Sequence, residues 1–170
     1  EISDTVISSA AEGANAVFAT GEGSVVTLDN VTIHTTGDSS RGLDATYGGT
    51  VNATNVDITT EGAHCAPIAT DRGEGTITVD TGTVSAADDG SPCIYSTGNI
   101  TVNNLTGTAT GSQTAVVEGK NSITMTDTEL TGAGENGIML YQSTSGDAAE
   151  GTARFAAVNS RLTTTSDGPM

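Results

Sequence analysis

Val26-Thr27-Leu28-Asp29-Asn30-Val31 returns 25 residues later as Val51-Asn52-Ala53-Thr54-Asn55-Val56, and the phrase keeps recurring along the chain. Its later forms are Ile77-Thr78-Val79-Asp80-Thr81-Gly82, Ile100-Thr101-Val102-Asn103-Asn104-Leu105, Ile123-Thr124-Met125-Thr126-Asp127-Thr128 and Phe155-Ala156-Ala157-Val158-Asn159-Ser160. The fifth positions, Asn30, Asn55, Thr81, Asn104, Asp127 and Asn159, are spaced by 25, 26, 23, 23 and 32 residues. Inside each phrase apolar and polar residues alternate, which is the pattern of a strand with one buried face. A strand of this size cannot bury that face alone, whereas stacked copies share one continuous core.

A second segment lies between the phrases: Ala16–Thr20, Gly42–Thr46, Ala66–Thr70, Cys93–Thr97, Ala115–Glu118 and Gly137–Leu140. Each period therefore predicts three short strands: this segment, the Val26–Asp29 type and the Val31–His34 type. The corner between the last two is one residue wide and is usually Asn. Asn tolerates the left-handed backbone such a bend requires. Stacked asparagines can also pass amide hydrogen bonds from coil to coil. The expectation is an all-β solenoid of about six to seven coils with a buried ladder through Asn30, Asn55, Thr81, Asn104, Asp127 and Asn159.

Composition agrees. Of the 170 residues only 3% are aromatic and 35% hydrophobic, with 22 glycines, so no Phe- and Trp-rich globular core can form. Disorder would explain the polarity but not a maintained period. The formal net charge of −16 opposes binding to nucleic acid or anionic lipid. No apolar run reaches membrane-spanning length.

One tight corner with an asparagine row and two looser corners resembles the pectin-lyase-like right-handed parallel β-helix superfamily, from about Val6 to Met170. Thr81 and Asp127 interrupt the row, and the last period is stretched. The resemblance implies a right-handed coil, and the Thr-rich, acidic, aromatic-poor character is most similar to adhesin and autotransporter-passenger members. Residues 1–170 are read as a single domain, a fragment or open-ended segment of a longer solenoid from an extracellular or cell-surface protein.

The period of two places Val26, Leu28, Val31, Ile33, Val51, Val56, Ile58, Ile77, Val79, Val84, Ile100, Val102, Leu105, Ile123, Met125, Leu130 and Leu162 inside. Val17, Leu43, Ile94, Val116 and Ile138 join them from the first strands, and Glu118 then points inward unless its strand shifts register. The outward column of the first strands reads Phe18, Asp44, Ile68, Tyr95, Val117 and Met139, with Tyr47 and Tyr141 at its edge. An exposed apolar stripe marks a ligand or partner face, and the resemblance implies a glycan groove there. The competing reading is that the Ser143–Gly151 loop covers this column, or that the assignment of faces is off by one.

Cys65 and Cys93 lie 28 residues apart, close to one period, and are expected to form a disulfide. The five basic residues, Arg41, Arg72, Lys120, Arg154 and Arg161, fall on different coils, and Asp44 is the only acid expected on the first-strand face. A single carboxylate cannot act as both acid and base, so no enzyme activity, cofactor or metal site is expected. Three functions follow from these features. The first is a structural, adhesin-like segment for display or attachment, with a glycan or a host or cell-surface protein as partner. The second is a carbohydrate-binding module. The third is a fibre subunit that self-associates through its coil ends.

Overall fold

The computed structural model describes residues 1–166. The reading of residues 167–170 as the start of a further first strand lies outside the described residues. Fifteen strands, numbered in chain order, follow one another with no helix among the described residues. Five are long: β1 (Ile2–Ser9), β3 (Val25–Thr35), β5 (Thr50–Thr60), β7 (Thr76–Ala86) and β9 (Asn99–Ala109). Six are short: β2 (Val17–Thr20), β4 (Leu43–Thr46), β6 (Ile68–Thr70), β8 (Ile94–Ser96), β10 (Ala115–Glu118) and β13 (Ile138–Tyr141). In the last two turns the long strand is split, into β11 (Ser122–Thr126) and β12 (Glu129–Gly132), then β14 (Arg154–Val158) and β15 (Arg161–Thr164).

The long strands stack in the order β1-β3-β5-β7-β9-β11-β14, with β12 and β15 continuing the second arm, and the short ones in the order β2-β4-β6-β8-β10-β13. Every pairing is parallel. The result is a parallel β-solenoid of about six turns. Val, Ile and Thr dominate its strands because a branched Cβ packs well on a pleated surface. The expected second and third strands are two arms of one long strand in β3, β5, β7 and β9. Only one residue at the bend leaves the extended conformation, so the hydrogen-bonded ladder resumes immediately beyond it.

That residue has a left-handed backbone in every turn: Asn30 (φ 55°), Asn55 (51°), Thr81 (66°), Asn104 (51°), Asp127 (50°) and Asn159 (50°). Asp4 (49°) is a seventh member, in a turn the repeat did not mark. The continuous buried ladder is not formed. Asn55 donates to Asn30 at 3.0 Å and Asn30 to Asp4 at 2.7 Å, but Thr81 has no amide to extend the row. All six expected members are exposed, because the bend turns the side chain outward.

The core runs the length of the solenoid through Leu28, Ile33, Leu43, Ile58, Ile68, Ile77, Ile94, Ile100, Ile123, Met125 and Leu130, among others. Val26 and Leu162 are partly buried against it. Three first-strand assignments are corrected by one residue. The pairing Leu43↔Ile68↔Ile94 puts Ile68 inside, and Val117 pairs with Ser96 on the inner side. Val116 instead pairs with Tyr95 and Met139, on the outer column. Glu118 consequently points outward.

Candidate functional site

The outward face of the short strands carries the site. Its central column is Phe18, Asp44, Ala69, Tyr95, Val116 and Met139, in pairing register from β2 to β13. Phe18, Asp44, Tyr95 and Met139 stand in the expected outward column, and Ala69 and Val116 take the places expected of Ile68 and Val117. The N-terminal end of this face is open: Phe18 is 51% exposed and Tyr47, on its rim, 58%. Ala69 and Val116 are buried without joining the central core.

The cover at the other end is the insertion that stretches the last period. From β13 the chain runs back over the face. Asp147 Oδ1 meets Arg72 Nε at 2.9 Å, three turns away along the stack. Ala148 is buried against the face, and Gln142 ties the loop closed by two hydrogen bonds to Gly151. Lys120 reaches back to Glu74 at 2.8 Å beside it. The stripe is therefore in large part a seat for the chain's own loop.

Under that loop lies Glu118, 2% exposed. Tyr141 donates to its Oε2 at 2.7 Å, Tyr95 donates to the same oxygen, and Ser145 donates to Oε1 at 3.4 Å. Burial pushes this carboxyl up, but the hydroxyl donors outweigh it and hold Glu118 below the usual range. Tyr95 is pushed far above the normal phenol range by burial and by the same carboxylate. Tyr95 and Tyr141, both expected on the ligand or partner face, thus use their hydroxyls on a buried acid.

Two adjoining hollows lie on the face, sharing Asp71 and Arg72. One, of about 290 Å3, is lined by Arg41, His64, Tyr95 and Asp147 among others. The second, of about 280 Å3, is lined by Asn15, Phe18, Asp44, Thr46 and Tyr47 with the shared pair. Arg41 Nη2 lies 3.4 Å from Asp71 Oδ2. Asp44 is 2% exposed; burial raises its carboxyl to about 7 against the opposing pull of Arg41, and Asp71 adds to the rise. Tyr47 has a left-handed backbone (φ 49°), and its ring lies over Gly73, where a Cβ would sit 2.4 Å from it. The arrangement can accept a donor or a cation at Asp44, hold a proton there near neutrality, and present two guanidiniums already engaged by acids.

Asp71 and Arg72 directly follow β6. Their place on the face follows from Ala45 pairing with Thr70, which sets Asp71 beside Thr46 and Arg72 beside Tyr47. Counting registers from the Ala-Thr ends of β4 and β6 would have found them.

The cysteines do not pair; both are free and buried. Ile68 stacks on Ile94, so the position over Cys65 is Ser91, two residues before Cys93. Cys65 belongs to a column of buried turn residues with Ser40 and Ser91. Its backbone N–H donates to Ser91 Oγ at 2.9 Å, Ser40 N donates to its Sγ at 3.1 Å, and its thiol donates to Gly37 O at 3.1 Å. Cys93 faces the apolar core, where burial pushes its thiol up to about 12. The two sulfurs serve different layers of adjacent turns.

Among the described residues no cluster of three or more His, Cys, Asp and Glu side chains is placed to hold a metal ion, and no helix is long and apolar enough to cross a membrane. No protein-family model, curated protein or solved structure matches this chain. By architecture it is a parallel β-solenoid protein.

Proposed function

We propose that the chain is a structural segment of an extracellular or cell-surface protein, built for display or attachment in the manner of adhesin-type members of the right-handed β-helix superfamily. One observation carries this reading. A single apolar core and stacked parallel ladders run along the solenoid, while most outward positions of the long strands are polar and the net charge is −16. Such a body is stiff, resists self-aggregation through charge repulsion, and offers long flat faces. Antibodies to the purified chain should label intact cells of its source without permeabilisation. Labelling that appears only after permeabilisation would overturn the proposal.

The hollows beside Asp44 and Arg41 favour a second reading, a carbohydrate-binding module on the short-strand face. Hydroxyl groups could bridge Asp44, Asn15 and Arg72 while a sugar ring rests on Phe18 or Tyr47. A glycan array would then return one preferred class, and Phe18→Ala would abolish its signal. Uniformly blank arrays count against this module while leaving the display role intact.

A further inference from the structure

Asp44 Oδ1 stands out among the described residues as a buried side-chain polar atom without a hydrogen-bond partner. The other oxygen, Oδ2, accepts from Asn15 Nδ2 at 2.7 Å. Native chains seldom leave a buried acceptor unsatisfied, and a donor brought by a ligand relieves the desolvation penalty. Three acids and two guanidiniums gather around the adjoining hollows. Arg41 pairs with Asp71 at 3.4 Å and Arg72 with Asp147 at 2.9 Å, so neither forms an ion pair with Asp44. Ionised Asp44 leaves the group one negative charge in excess.

The hollow beside it suits a small occupant. Its volume is about 280 Å3, below the range of drug-sized pockets. Phe18 and Tyr47 line it and are the two most exposed aromatic side chains, at 51% and 58%. Ring faces attract cations, and the −16 chain draws cations toward its surface. A neutral polyol could donate to Oδ1 but would leave the local excess charge in place. A cation satisfies both the acceptor and the charge.

We propose that the hollow over Asp44 binds a single cationic group, an ammonium or guanidinium, presented by a free amine or by a basic side chain of a partner protein. The cation sits between Phe18 and Tyr47, and a small rotation of the Asp44 carboxylate brings its buried Oδ1 to the cation. Arg41, Asp71, Arg72 and Asp147 set the field around it. Bound positive charge draws the Asp44 carboxyl, which burial otherwise holds at about 7, back toward the ordinary carboxylate range. This inference does not depend on the display role or on glycan binding.

The test is carboxyl 13C NMR of the labelled chain at pH 7.5, titrated with n-butylammonium chloride against sodium chloride of equal ionic strength. A saturable shift at Asp44 is expected with the amine alone, together with a fall of about one unit in the Asp44 titration midpoint. Asp44→Asn should abolish binding, followed through the Asn15 amide. Phe18→Ala, at an exposed position that leaves the fold intact, should weaken it roughly two- to fivefold. Tighter binding of the peptide Ac-Gly-Lys-Gly-amide than of the amine would assign the site to a partner's side chain; equal binding would assign it to free amines. No amine-specific shift, equal binding by Asp44→Asn, or a shift with methyl glucoside and none with the amine would each overturn the proposal.

Discussion

Cys65 and Cys93 have the same chemistry and opposite surroundings. The Cys65 thiol replaces a hydroxyl in a stack with Ser40 and Ser91 and is hydrogen-bonded on both sides. Cys65→Ser should therefore change stability by less than about 0.5 kcal/mol. Cys93 lies in the apolar core, so Cys93→Ser buries a hydroxyl with no partner and should cost about 1–3 kcal/mol in urea unfolding. Both thiols should be alkylated in denaturant without reductant. Asp44 gives a pH signature at the same scale. Its carboxyl is near 3.8 when unfolded and about 7 when folded, so the native state holds the extra proton between those values. Stability from this group is fully present below about 3.8 and is lost as pH rises through about 7. In Asp44→Asn the fall in melting temperature between pH 5 and 7.5 should be smaller than in the parent chain; an unchanged profile would show that Asp44 titrates normally.

At the scale of the element, β10 shows where reading a sequence loses phase. Ala115-Val116-Val117 has no polar residue to mark a face, so alternation fits equally well in either register. Pairing with β8 and β13 decides it, sending Glu118 outward to Tyr95 and Tyr141. The Ala66–Thr70 segment has the same ambiguity, and Ile68 was misplaced for that reason. Glu118 also anchors the 143–151 loop through Ser145. Glu118→Gln keeps the shape but removes the charge from the cluster, at about 1–3 kcal/mol. Its effect should be local: faster amide hydrogen exchange over 143–151, with protection in β3, β5 and β7 unchanged. As pH falls through the depressed Glu118 value the parent loop should loosen in the same way, since the stability this acid contributes is present above its unfolded value and lost below.

Over the whole molecule, stability is a sum of turns and of contacts between neighbouring turns. Ile77 is fully buried in β7, with paired strands on both sides, whereas Ile2 is partly buried in β1, which pairs with β3 alone. Ile77→Ala should cost roughly 2–5 kcal/mol in global unfolding. Ile2→Ala should mainly fray β1, seen as faster exchange there with little change in the urea midpoint.

The alternation of Val26-Thr27-Leu28 and its copies was enough to determine the solenoid, its period and most of its inward face. Those features depend on a strand's period of two and on which residues tolerate a left-handed bend, both local properties. Asp4 escaped because Ile2-Ser3-Asp4-Thr5 carries the bend without the full phrase. The exposed corner row, the two separate thiols, the loop over Tyr95 and Glu118, and the hollow at Asp44 were settled only by stacking. Each joins residues one or more turns apart, from Cys65 and Ser91 to Arg72 and Asp147. A shift of one residue between turns exchanges inside for outside, and only the hydrogen-bonded register fixes that choice.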